Sequence, residues 1–336
     1  MLFRSANTPL PALRGKPCPA FLFPNAGDYD YVKVLLGESE LVFLREHLTD
    51  LQDDMLRAML WQALWDSVED GRMGLDDYLA ALRTHIPREK RDAILEDQQK
   101  QWMTQVPYYL AAKGRLDRMG DLADFFMTQW KAAKSGDMRR FYANLFVTYA
   151  TRDDHRDALV AMLKGKKAHG LSIDQDQRWS MIHKLASLGD PRAQAIAEKE
   201  SGVDRSNRGQ ENALVAKVLS PDEPTKRKYL AEVYDPKRRL SERIAIAKAL
   251  LPITQQNLWP SLKTEIVETY RRNNKVEDPR LHRQFISDAF GRACDATTIH
   301  LSDAMNRWSS SETQKRAWAV RKQELERCAR VIAKLP

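Results

Sequence analysis

The sequence predicts an all-α chain, and three observations carry the prediction. Apolar residues recur with a period near 3.6 from residue 37 to the end. Only 14 Gly and 15 Pro occur in 336 residues, too few for a turn-rich sandwich or barrel. An Asp-Pro-base triplet recurs at Asp190-Pro191-Arg192, Asp235-Pro236-Lys237 and Asp278-Pro279-Arg280. There an Asp carboxylate can accept from the orphan amides of a first helical turn, and Pro loses no hydrogen bond at the first helical position.

Residues 1–14 show neither helical periodicity nor the charged start and apolar centre of a secretory signal. They read as a disordered or non-native leader, and Met1-Leu2-Phe3-Arg4-Ser5 is compatible with translated linker bases. Residues 15–36 read as extended. Pro17, Pro19 and Pro24 exclude a helix interior, and residues 29–36 are of strand-forming type, so one or two strands are expected there. From 37 to 336 the pattern is helical. Leu56, Met59, Leu60, Ala63, Leu64 and Val68 form one core stripe, and Met138, Phe141, Tyr142, Leu145, Phe146 and Tyr149 form another. Polar breaks at Ser135-Gly136-Asp137, 151–154, Gly189-Asp190 and 273–278 separate helical runs of roughly 10 to 20 residues, as in stacked antiparallel pairs. The expected architecture is an α-solenoid of HEAT-like antiparallel helix pairs with no strict sequence period.

Composition narrows the function. No run approaches the roughly 20 apolar residues that cross a bilayer, so no membrane partner is expected. The formal charge of +8 is dispersed among acidic residues rather than gathered into arms, which argues against nucleic acid. The three cysteines, Cys18, Cys294 and Cys328, lack C-x-x-C spacing and leave an odd thiol, so unpaired thiols are expected rather than a disulfide framework. The histidines His47, His85, His155, His169, His183, His282 and His300 include no i, i+4 pair, so no metal ligand set is expected in this chain. His47 and His183 read as surface or satisfied interior imidazoles. There is no G-x-S-x-G elbow, P-loop or dinucleotide fingerprint, and no catalytic or cofactor-binding residue is assigned. Asp53-Asp54, Asp76-Asp77 and Asp153-Asp154 fall where helices should begin, where negative charge favours the helix dipole.

Particular residues go further. Pro24-Asn25-Ala26-Gly27-Asp28 followed by Tyr31-Val32-Lys33-Val34 resembles the junction between a small β-sandwich and a helical domain in aminopeptidase N-type zinc peptidases. Leu51, Asp54, Arg57, Trp61, Trp65, Asp66 and Gly71 are similar to that family's first long helix and its turn, and 75–82 to its second. Tyr108-Tyr109-Leu110 and the stretch 316–330 continue the likeness, which spans about residues 15–330. The family is the gluzincin aminopeptidases, with a C-terminal domain like that of the endoplasmic-reticulum aminopeptidases and with bacterial members.

The resemblance implies that 15–36 closes an upstream β-sandwich and that 37–336 is the helical C-terminal domain. It implies a zinc-dependent parent that removes N-terminal amino acids from peptides. The zinc, its H-E-x-x-H ligands and the G-A-M-E-N loop would lie in an upstream catalytic domain of the same polypeptide. None of these motifs occurs in this chain, which alone is expected to be inactive. The helical domain would cover the active-site chamber and help to position peptide, with Lys164, Lys166, Lys167, Arg238 and Arg239 as candidates to attract a peptide carboxylate. The cytoplasm is the expected location, although an unpatterned start says little about compartment. The alternative is a free-standing helical-repeat scaffold for a protein partner, which leaves the extended leader unexplained.

Overall fold

Pro19 and Pro24 keep the chain out of helix until Gly37, and Asn25 organises the turn between them and the first helix. Its side-chain amide donates to the Asp30 carbonyl at 3.0 Å, while Asp30 N–H donates back to Asn25 Oδ1 at 3.2 Å. The computed structural model describes residues 9, 11–17, 19–275 and 278–334, so most of the expected leader and Cys18 lie outside the described residues. The strand expected within 15–36 does not form as part of a ladder. No strand is assigned there: residues 24–27 turn, Asp28 has a positive φ of 53°, the Val32 amide donates back to the Asp30 carbonyl at 3.0 Å, and among the described residues no neighbouring strand offers a ladder. Tyr29 and Tyr31 are correspondingly bare, at 89% and 110% exposure.

Helix begins at the expected change of period. Helix α1 is Glu38–His47, α2 Asp54–Glu69, α3 Leu75–His85, α4 Asp92–Tyr109, α5 Arg115–Ala132, α6 Gly136–Tyr149 and α7 Asp153–Lys164. A two-stranded antiparallel hairpin follows, β1 Lys167–Ala168 against β2 Leu171–Ser172. Then come α8 Gln175–Ser187, α9 Ala193–Val203, α10 Asn207–Val218, α11 Glu223–Glu232, α12 Leu240–Ala249, α13 Trp259–Asn273 and α14 Pro279–Gln284. A π-helical turn, Phe285–Ala289, extends α14, and α15 Ala296–Arg307 and α16 Glu312–Ile332 complete the described helices.

The acidic pairs sit where the dipole favours them. Asp53 caps α2 by accepting from Leu56 N–H, Asp76 and Asp77 fill the first turn of α3, and Asp153 and Asp154 that of α7. The Asp-Pro triplets divide differently from the expectation of three caps. Asp278 caps α14 through the Arg280 amide. Asp190 and Asp235 instead close turns onto the amides of Arg192 and Lys237, at 2.9 Å each, and their helices begin later, at Ala193 and Leu240. Pro fixes one φ angle, so the Asp can fold onto its own turn without a helix following at once.

Both expected stripes face the interior, and aromatic rings tie neighbouring helices together. Trp61 of α2 meets Trp102 of α4 edge-on at 5.6 Å. Tyr78 of α3 accepts from Trp102 Nε1 at 2.7 Å, and Tyr149 of α6 donates to the Trp102 carbonyl at 2.6 Å. Trp102, Tyr78 and Tyr149 thereby bury large apolar faces and still place their polar atoms, whereas Trp61 Nε1 is buried without a hydrogen-bond partner. Sequential packing of α5 with α6, α8 with α9 and α15 with α16 fits stacked pairs. The last helix departs from an open stack, because α16 also packs on α2 and α4.

A disulfide corrects the expectation of unpaired thiols. Cys294, in the segment before α15, is bonded to Cys328 of α16 across 34 residues of sequence, with Cα atoms 5.6 Å apart. Spacing in sequence could not show this, because the two residues meet only when α15 and α16 pair. In the chain-entropy treatment such a cross-link contributes about 3–4 kcal/mol by restricting the unfolded chain. Thermal unfolding with and without dithiothreitol should therefore show a lower midpoint under reduction, and the Cys294→Ala/Cys328→Ala variant should not respond to reductant.

Lys226 of α11 is fully buried and donates to the Val218 carbonyl at 2.7 Å. Burial pulls its pKa down from 10.5 to about 7. The unfolded chain then binds more protons than the native one between those two values, so this residue makes stability rise with pH across that window. Replacing Lys226→Met should raise the unfolding midpoint most at pH 7 and below, and the gain should fade toward pH 10.5. A gain that is constant with pH would show that the native ammonium is not desolvated.

Candidate functional site

The chain narrows into a hairpin after α7 because Gly165 ends the helix and His169-Gly170 reverse it, with positive φ of 45° and 77°. That hairpin, with α7, α8 and α9, encloses a cavity of about 1040 Å³. Val160, Leu163, Ile173, Ile196 and Val203 supply apolar lining. Lys164, Lys166 and Lys167, three of the basic residues singled out in the sequence, stand on its rim and are exposed. None of the three makes an ion pair among the described residues, and Lys199 adds a fourth ammonium.

One wall is a fixed ion pair. Arg178 of α8 donates from Nε to Glu200 Oε1 at 2.8 Å and from Nη2 to Oε2 at 2.6 Å, and Gln175 adds a third bond to Oε1 at 2.8 Å. Glu200 is buried, and the Arg178 guanidinium holds its carboxyl below the usual range. This bidentate pair ties α8 to α9 and keeps occupied the one carboxylate that lines the cavity among the described residues. The recess therefore offers apolar surface to a chain and unpaired positive charge to its acidic end.

The other sequence candidates stay out of it. Arg238 pairs with Glu232 and Glu242, and Arg239 with Glu242 at 2.8 Å, so their charge is locally answered. His47 is exposed and bonded to Asp50 at 3.0 Å, and His183 meets the Asn212 carbonyl at 2.9 Å. Among the described residues, one group of metal-ligand type converges, Asp124, Asp154 and His155, with ligand atoms within 4.8 Å. Arg152 already lies on Asp124 and Asp121, and His155 Nδ1 accepts from the Arg152 and Thr151 amides, so this group is an ion-pair cluster at the start of α7. It does not fit a catalytic zinc centre. Sequence reasoning missed the Arg178–Glu200 pair, whose partners lie 22 residues apart on different helices with no local motif to announce them.

Glu200→Gln should lower stability by about 1–3 kcal/mol, because Arg178 would lose its charged partner in a largely desolvated place. Urea unfolding measures this, and an unchanged midpoint would mean that water replaces the carboxylate without loss.

Over 221 residues, 65% of this chain, the sequence is 30% identical to Aminopeptidase N of Streptomyces lividans. The match covers 26% of that relative, so the chain spans about a quarter of its length. Residues 21–330 match the ERAP1-like C-terminal domain, and the chain, its two front Trp residues Trp61 and Trp65 and its closing helix α16 included, belongs to that family.

Proposed function

We propose that this chain acts as the helical C-terminal domain of a zinc aminopeptidase that removes N-terminal residues from peptides, with residues 37–336 as that domain and 15–36 as the end of a preceding β-sandwich. The family match over 21–330 carries this reading. The relative's name supplies the activity, and the short share of its length leaves room for a catalytic domain upstream. Zinc would be held there and would supply an activated water for attack on the first peptide bond.

The residues of this chain would bind and orient. Lys164, Lys166 and Lys167 would hold the C-terminal carboxylate of a peptide, while Val160, Ile196 and Val203 take up its apolar side chains. Closure of the helical domain over the catalytic domain would exclude water from the chamber and limit the ways in which a peptide can lie. The segment before α1 supports a covalent neighbour over a free-standing scaffold, because Tyr29, Tyr31 and Leu35 are left uncovered where such a neighbour would sit.

The test uses the parent enzyme. Lys164→Glu/Lys166→Glu/Lys167→Glu should raise KM for a peptide several residues long by about tenfold or more, the scale of a lost charge-assisted contact. The same variant should leave the KM of an aminoacyl anilide, which has no distant carboxylate, within about twofold. Equal KM values for the peptide in variant and parent, with the fold intact, would remove these lysines from peptide recognition.

A further inference from the structure

We propose that a second recess, between α14 with its π-helical turn and α16, binds a small oxyanion, a phosphate or carboxylate group. The inference goes beyond the reading above and does not depend on it. The recess is a cavity of about 540 Å³, and its charged lining is Arg283, Arg316, Arg321 and Glu324. Three guanidiniums thus face one carboxylate.

Arg321 makes this more than a basic surface. It is 3% exposed, and its Nη2 donates to the carbonyls of Phe290 at 3.3 Å and Gly291 at 2.9 Å. Nη1 donates to Glu324 at 3.2 Å, which leaves Nε buried without a partner. The backbone of 290–291 cannot shift easily, since a Cβ on Gly291 would meet Trp259 Cδ2 at 2.1 Å. The guanidinium is therefore fixed in orientation with one donor unused. Tyr108 packs on it from outside the lining of the recess, its ring centroid 5.9 Å from Arg321 Cζ and 5.8 Å from Arg292 Cζ. The Tyr108 hydroxyl is also buried without a partner. A protein interior rarely leaves such buried polar atoms unanswered.

The rim completes the chemistry. Arg283 and Arg316 are exposed and make no ion pair among the described residues, so their planar forks remain available for bidentate contact with an oxyanion. Thr313, at the second residue of α16, places a hydroxyl beside the positive end of that helix dipole. An anion seated there would meet the free forks of Arg283 and Arg316 beside the fixed charge of Arg321.

The experiment measures thermal unfolding and calorimetric binding of the whole chain with inorganic phosphate and, separately, with citrate, each against sodium chloride at matched ionic strength. A saturable rise in midpoint beyond the chloride effect is expected from at least one anion. The variant Arg283→Gln/Arg316→Gln should weaken that anion's Kd by about tenfold or more. Arg205→Gln/Lys228→Gln, which removes the same charge elsewhere, should leave it unchanged. A response to phosphate alone assigns the site to phosphate-bearing ligands, and one to citrate alone to carboxylates. No response beyond chloride, or equal Kd in the rim variant and the control variant, would overturn the proposal.

Discussion

The arrangement depends on α16 returning to the front of the helical region. An open helical stack touches only neighbouring units, so its two ends behave independently. Here the last helix reaches two earlier parts at once. Trp318 donates to the Tyr270 hydroxyl at 2.9 Å and packs on Phe290 at 4.8 Å, which joins it to α13 and the segment before α15. Further along, Arg327 pairs with Glu69 of α2 at 3.0 Å, and Glu69 also accepts from Tyr109 of α4. Cys328 lies between these regions, bonded to Cys294 with its sulfur 3.8 Å from the Tyr108 carbonyl oxygen. One helix thus couples residues 69–109 to residues 270–294, and loosening it would expose both.

A second constraint explains why so many cations are buried without carboxylates. Every helix leaves its last carbonyls unpaired, and in a stack of helices many of those ends lie inside. The protein answers them with polar side chains from other elements. Lys226 reaches Val218 at the end of α10, Arg115 takes the Leu110 carbonyl after α4, and His85 lies 3.0 Å from the Leu44 carbonyl of α1. Gln255 donates to both Ser187 and Leu219, at 2.8 and 2.6 Å, and so closes α8 and α10 together. A cation suits this role because the carbonyl end of a helix dipole is negative. Desolvation nevertheless dominates, and burial pulls the pKa values of Lys184 and Lys226 down to about 7.

This division decides what could be read from the sequence. Helical stripes such as 138–149, and N-terminal devices such as Asp53 and Asp278, depend on residues within one or two turns, and they were legible. C-terminal closure was not, because Gln255 and Ser187 stand 68 residues apart and no periodicity links them. The same holds for the disulfide and for the Arg178–Glu200 wall. Lys164, Lys166 and Lys167 were visible as a basic cluster, but their cavity was not, since its floor comes from α7 and α9, on either side of the hairpin and α8. The strand expected near the start does not form among the described residues. Extended backbone is a local property, whereas a ladder needs a neighbour.

The charge balance follows from the same geometry. Acidic residues are drawn to first turns, as Asp76, Asp77, Asp153 and Asp154 show, where the dipole holds them at the surface. Part of the basic complement is drawn inward to helix ends, where it is neutralised by carbonyls rather than by carboxylates. An excess of +8 therefore does not require a broad positive face. What remains accessible includes two recesses, one rimmed by Lys164, Lys166 and Lys167 and the other by Arg283 and Arg316. The two differ in kind. Flexible ammoniums above an apolar floor suit the end of a chain whose register varies, while rigid guanidiniums around the anchored Arg321 suit one compact anion.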